Sequence, residues 1–274
     1  MYIEKKYDLG NRVDHEYTFR GTCGKKGEKR SKRTKATAEQ IKKQNQYNKE
    51  KRLDRKMRAN FTEGESTYVT LTYKVELRPE SMETFKTDRK DFIEALRREY
   101  KKAGIPFKWI SRAEIGKRGA AHLHFLINDI PGVNMIALVS KYWTKGRPML
   151  KPVDDLNSGQ LAEYFTKLSP QDMKGQLTWL SESDQKAITA YSCSRNLINT
   201  EPEIKKCSRR TVEKQIRDGI KPTPGFEVLQ DSVRYGINPF TGYSYLHYKE
   251  VKTENCAGAI KVPRMEVVPP WQST

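Results

Sequence analysis

The chain has 274 residues, with 52 Lys+Arg against 34 Asp+Glu, a net charge of +18. That balance calls for a polyanionic partner, nucleic acid or an anionic membrane surface. No run of 18 or more apolar residues occurs, and MYIEKKYDLG lacks a secretion signal's apolar core, so neither a membrane span nor export is expected. Residues 1–60 hold 19 Lys+Arg and 8 Asp+Glu, so +11 of the charge sits there. That region lacks a strongly amphipathic basic helix with bulky aromatics, so nucleic acid is preferred to a membrane. Cys23, Cys193, Cys207 and Cys256 are scattered without a C-x-x-C pair, as in a reducing cytoplasm.

Residues 1–20 alternate loosely and read as a short strand or extended arm. GTCGKKGEKRSKRTK (21–35) reads as a basic loop, and 37–61 as a helix with few apolar residues. Leu53, Met57 and Phe61 recur every four residues, so the C-terminal half of that helix should dock on a core. Its other faces are basic, either solvated or set beside a phosphate backbone. TYVTLTYK (67–74) alternates as a strand, with Tyr68, Thr70 and Thr72 on one face. Phe92, Leu96 and Tyr100 line a helix over 87–104, with Thr87 as its cap and Gly104 as its stop. A strand–turn–strand over 107–128, a short helix over 133–143, a strand over 146–154 and a helix over 157–170 follow. Beyond residue 180 the pattern predicts a strand near KAITAYSCSRNL and a helix in TVEKQIRDGI. Two strands are expected around NPFTG, and an extended tail follows. The order defines an α+β fold, an antiparallel sheet flanked by helices with a basic N-terminal extension. Three regions are expected: a basic arm and helix (1–60), a central domain (61–200) and a C-terminal extension with a helix and β-hairpin (201–274).

The central hairpin carries the chemistry. Its odd positions Phe107, Trp109, Ala113, Ile115, Leu123, Phe125 and Ile127 form an apolar face, with Ser111 the exception. Its even positions place Arg112, Glu114, His122 and His124 on the other face. A tight turn at 117–119 sets Glu114 across from His122. Two imidazoles and one carboxylate suit a divalent cation with open positions for substrate oxygens. The same set also suits a zinc hydrolase or a non-haem iron oxygenase; the net charge favours a phosphodiester substrate. Tyr164 and Lys167, three apart on a helix, can pair a phenol nucleophile with an ammonium group that favours the phenolate. Tyr142 and Lys145 repeat the spacing at a helix end, where Tyr142 and Trp143 look more like packing, so Tyr164 is preferred.

YVTLTY, HLH and YFTK together resemble, in order, the motifs of the HUH endonucleases. The likeness is to single-tyrosine rolling-circle replication initiators of small single-stranded-DNA phages and related bacterial elements. YW-TKG and SRNL (194–197) resemble segments that flank those motifs, and the likeness covers roughly residues 60–200. It implies an HUH (RRM-like) core with His122, His124 and Glu114 holding Mg²⁺ or Mn²⁺. It also implies that Tyr164, aided by Lys167, nicks single-stranded DNA at an origin, stays on the 5′ phosphate and later rejoins the strand. Thr70, Thr72, Arg112 and Arg195 are candidate DNA contacts. A host polymerase would extend the 3′ hydroxyl in the bacterial cytoplasm. A host helicase would unwind, since no G-x-x-x-x-G-K-[ST] loop occurs. Alternatives are a single-strand transposase or relaxase-like enzyme of the same chemistry, and a basic DNA-binding protein without catalysis.

Overall fold

The structure is a computed structural model and describes residues 1–21, 36–115, 121–153, 162, 165, 166, 190–238 and 241–253. The chain divides into two compact units, one of Met1–Ala38 with Thr200–Thr274, the other of Glu39–Asn199. Each is an antiparallel sheet with helices, an α+β architecture. The basic loop 22–35 and the tail from 254 lie outside the described residues.

The 39–199 unit holds a five-stranded sheet of β3 (Ser66–Thr72), β4 (Trp109–Ile115), β5 (Ala121–Asn128), β6 (Pro148–Pro152) and β7 (Ser192–Cys193). The strand order is β6-β3-β5-β4-β7. The β4–β5 register matches the one expected, with Glu114 opposite His122 and Arg112 opposite His124. Thr70 lies opposite His124 and Thr72 opposite His122 from the other side.

Both faces of this sheet are covered. Val69, Leu71, Leu123, Phe125 and Ile127 pack against α2 (Met82–Lys102) and α3 (Met135–Tyr142). α2 begins earlier than the sequence pattern predicts. Ser81, not Thr87, is its cap, accepting from the Thr84 amide at 3.1 Å, because Phe85 extends the buried face by two turns. Gly104 ends it at φ +70°, as expected. On the other face Ile110 and Leu126 pack with Leu53, Met57 and Phe61, and with Ala162 and Phe165. Leu53 and Met57 belong to α1 (Ala38–Arg58), whose C-terminal half docks while its first turns stay exposed. The histidine face is therefore a second core for part of its area, and the polar site occupies the rest.

The other unit is a six-stranded sheet of order β10-β11-β2-β1-β8, with β9 also paired to β11. Its strands are β1 (Tyr2–Asp8), β2 (Arg12–Phe19), β8 (Glu203–Cys207), β9 (Phe226–Val228), β10 (Arg234–Ile237) and β11 (Ser244–Lys252). The first twenty residues are thus a full hairpin in a sheet. The helix α4 (Arg209–Asp218) sends Val212 and Ile216 into a core with Tyr2, Tyr17, Leu246 and Tyr248. A polar cluster adjoins that core. His15 Nδ1 lies 2.8 Å from Glu4 and its Nε2 3.4 Å from Glu250, and its ring stacks on Tyr248.

Candidate functional site

β3, β4 and β5 together set Thr70, Thr72, Arg112, Glu114, His122 and His124 on one face. The alternation works because Leu71, Ala113 and Leu123 are buried on the opposite face and fix the register. His124 is buried and doubly held: Tyr68 Oη lies 2.8 Å and Thr70 Oγ1 3.2 Å from its Nδ1. Each hydroxyl can donate to or accept from that nitrogen, so the pair suits either tautomer of the ring. Tyr68 is itself wedged edge-on against Phe165, with ring centroids 6.0 Å apart.

With Nδ1 tied, His124 turns Nε2 toward Glu114, whose Oε2 is 3.2 Å away. The carboxylate thus reaches its diagonal neighbour rather than the directly opposed His122, a span that cross-strand diagonals allow. The two imidazole centroids are 6.4 Å apart. Burial first, then His124 and Arg78, hold His122 below the usual imidazole range, so it is neutral at neutral pH, the form that binds metals. Its Nδ1 is buried without a hydrogen-bond partner. The residues therefore fit a divalent cation in kind: an orphaned neutral imidazole, a second imidazole and a half-exposed carboxylate on one face. They are not drawn in around a common point. Among the described residues no group of three or more His, Cys, Asp or Glu is arranged to hold an ion.

The remaining expected site residues divide. Thr72 donates to the Arg147 carbonyl at 2.8 Å, at the rim beside His122. Arg112 is buried next to His124. Arg195 follows β7 at the Trp109 end of β4. It is thus at the end away from Glu114, about 16 Å along the strand at 3.3 Å per residue, and the structure does not bring it to the histidines. Tyr164 and Lys167 lie outside the described residues. Their neighbours in sequence, Ala162, Phe165 and Thr166, are buried, with Ala162 and Phe165 in the core on the histidine face. Tyr142 is on α3, packed with the opposite core and donating to Glu99, which removes it as a rival nucleophile.

Three residues that sequence reading passed over join the site. Tyr68 was legible as a member of the Thr70–Thr72 face, though not as the partner of His124. Arg78, just after a 3₁₀ turn at Val75–Leu77, acts electrostatically on His122 and has a buried, unpartnered Nε. Lys49 of α1 lies over the Tyr191 ring at 5.6 Å; burial and Arg112 lower its pKa. Nothing in the local pattern marks Arg78 or Lys49, because only the fold brings them to the hairpin.

Residues 66–169 match the family model of the replication-associated protein ORF2. The matched stretch begins with β3 and includes the whole histidine hairpin, so this part of the chain is similar to proteins associated with DNA replication. No curated protein and no solved structure matches the chain. No described helix is long and apolar enough to cross a membrane.

Proposed function

We propose that the protein is a replication initiator that nicks and rejoins single-stranded DNA at an origin through a covalent 5′-phosphotyrosine. The observation that carries this reading is the shared face of His122, His124 and Glu114, inside the stretch that resembles a replication-associated family. Tyr164 is the nucleophile. Its phenol oxygen attacks phosphorus, the bond to the 3′ oxygen breaks, and the departing 3′ hydroxyl takes up a proton. Lys167 favours the phenolate and offsets charge on the phosphoryl oxygens. Mg²⁺ or Mn²⁺ held by His122, His124 and Glu114 would supply polarisation of the scissile phosphodiester. Arg78, Arg112 and Lys49 surround that position with positive charge, and Thr70 and Thr72 offer hydroxyls at its rim. Attack by a free 3′ hydroxyl on the phosphotyrosine reverses the first step and reseals the strand. One ester replaces another, so no nucleotide cofactor is consumed. A host polymerase extends the 3′ end, and a host helicase separates the strands.

One specific observation favours a second reading, a basic DNA-binding protein without cleavage: Glu114 contacts His124 instead of converging with both histidines. A single assay separates the two. The protein is incubated with a panel of single-stranded oligonucleotides and Mn²⁺, and products are resolved on a denaturing gel. A covalent adduct that disappears with Tyr164→Phe and with EDTA is expected. An adduct that survives Tyr164→Phe overturns the choice of nucleophile. Salt-sensitive binding with no adduct under any condition overturns the nuclease.

A further inference from the structure

The unit that lacks the histidine site carries a basic ridge of its own. α4 buries Val212 and Ile216 and leaves its opposite side exposed. That side presents Arg210, Lys214 and Arg217 at spacings of four and three, a straight stripe about 10 Å long at 1.5 Å per residue. Among the described residues Arg210 and Lys214 have no ion-pair partner, whereas Arg209 pairs with Glu213 and Arg217 with the adjacent Asp218. Both of those pairs are exposed and so exchange readily with another anion.

The placement of these charges runs against helix stability. The first turn of α4 contains Arg209 and Arg210 and no acid, although cations at a helix N-terminus oppose the macrodipole. α1 and α2 follow the favourable rule, with Glu39 and Glu83 in their first turns. Ser208 caps α4 through the Thr211 amide at 3.0 Å, so the end is built with care and still carries positive charge. Charge placed where it costs the helix stability is explained by a bound anion outside the chain.

The nature of that anion follows from what the ridge lacks. The exposed side of α4 has no aromatic residue, only Arg, Lys, Thr, Glu and Asp. Surfaces that hold single strands combine cations with aromatic platforms on which unpaired bases stack. A ridge of cations alone suits a regular phosphate backbone whose bases are already stacked and paired. We infer that the outward ridge of α4, Arg210, Lys214 and Arg217, binds the phosphate backbone of duplex DNA without reading its sequence. The inference rests on the replication reading and deepens it by adding a duplex-holding surface distinct from the strand-cutting site.

The test uses the full chain, with binding to duplex DNA and to anionic vesicles measured by fluorescence anisotropy from 50 to 300 mM salt. Arg210→Ala, Lys214→Ala and Arg217→Ala are combined in one variant. A second variant combines Arg97→Ala, Arg98→Ala and Lys101→Ala, which remove the same charge from another exposed helix surface, that of α2. Circular dichroism melting establishes that each variant is folded. The ridge variant should lose about 1 unit of the log–log salt slope per contact removed, roughly 3 in all, with at least tenfold weaker binding. The α2 variant should keep most of the slope. Equal losses in both variants overturn the inference, since net charge alone would then account for binding; so does an unchanged slope in the ridge variant. A ridge effect specific to anionic vesicles and absent with duplex DNA also overturns it. Loss of duplex binding in a protein that forms no oligonucleotide adduct would leave the ridge standing while the nuclease reading fails.

Discussion

At the scale of single residues, Tyr68 controls the orientation of His124. Its hydroxyl at 2.8 Å fixes Nδ1, and that fixes where Nε2 points. Tyr68→Phe should therefore lower the apparent affinity for Mn²⁺ in the cleavage assay by about tenfold, the low end of losses seen when a ligand's supporting hydrogen bond is removed. Thr70 at 3.2 Å retains part of the orientation, so activity should return at high Mn²⁺. In the other unit His15 joins β1, β2 and β11. Burial opposes charging of His15, but contacts with Glu250 and Glu4 outweigh it and raise its pKa. Glu4 is lowered by its hydrogen bond to His15; Glu250 is lowered despite burial, mainly by His15. The raised histidine stabilises the fold fully below its unfolded value of about 6.5 and loses that effect as pH rises through the folded value. The lowered carboxylates stabilise it above about 4.5 and lose the effect in acid. Stability of this unit should peak between those values. His15→Ala, which strands the fully buried Glu250, should cost about 3 kcal/mol in urea unfolding and abolish the alkaline decline.

At the scale of elements, the contact between the end of β3 and the segment after α3 sets the rim of the site. Lys74 donates to the Lys145 carbonyl at 2.8 Å, and the Trp143 indole donates to the Thr72 carbonyl at 2.8 Å. Gly146 lies so close that an added Cβ would sit 1.9 Å from the Thr72 carbonyl oxygen and 2.8 Å from Tyr73 Cα. Backbone on both sides cannot yield as a flexible side chain would. Gly146→Ala should lower the melting temperature by several degrees, the effect of a loss of about 1–3 kcal/mol from overpacking. It should also slow cleavage, because Thr72 faces His122. The elements of this unit were largely legible, since β3, β4 and β5 alternate cleanly and a short turn fixes the Glu114–His122 register. The second core on the histidine face was not. Ile110 and Leu126 sit among polar even positions, and their partners Leu53 and Met57 are more than fifty residues away in the chain.

At the scale of the whole molecule, legibility falls where polar residues are buried and partners are distant. β2 reads as a surface strand, RVDHEYTF, yet Arg12 through Tyr17 are all buried. An Arg12–Asp14 pair at 2.8 Å and the His15 cluster make that burial tolerable, and composition cannot announce such pairings. The strands that flank β2 come from residues 2–8 and 244–252, so no local pattern could have joined them. That arrangement has a consequence for synthesis. The β1–β2 hairpin leaves the ribosome early, but its neighbour β11 is made only after about 225 further residues, roughly 10 to 45 seconds at ordinary translation rates. Throughout that interval β2 has an open edge, and the 39–199 unit is complete before the sheet of the other unit can close. The first strands made are among the last to be finished, so a stalled or truncated chain would present a folded histidine-bearing unit beside an aggregation-prone hairpin.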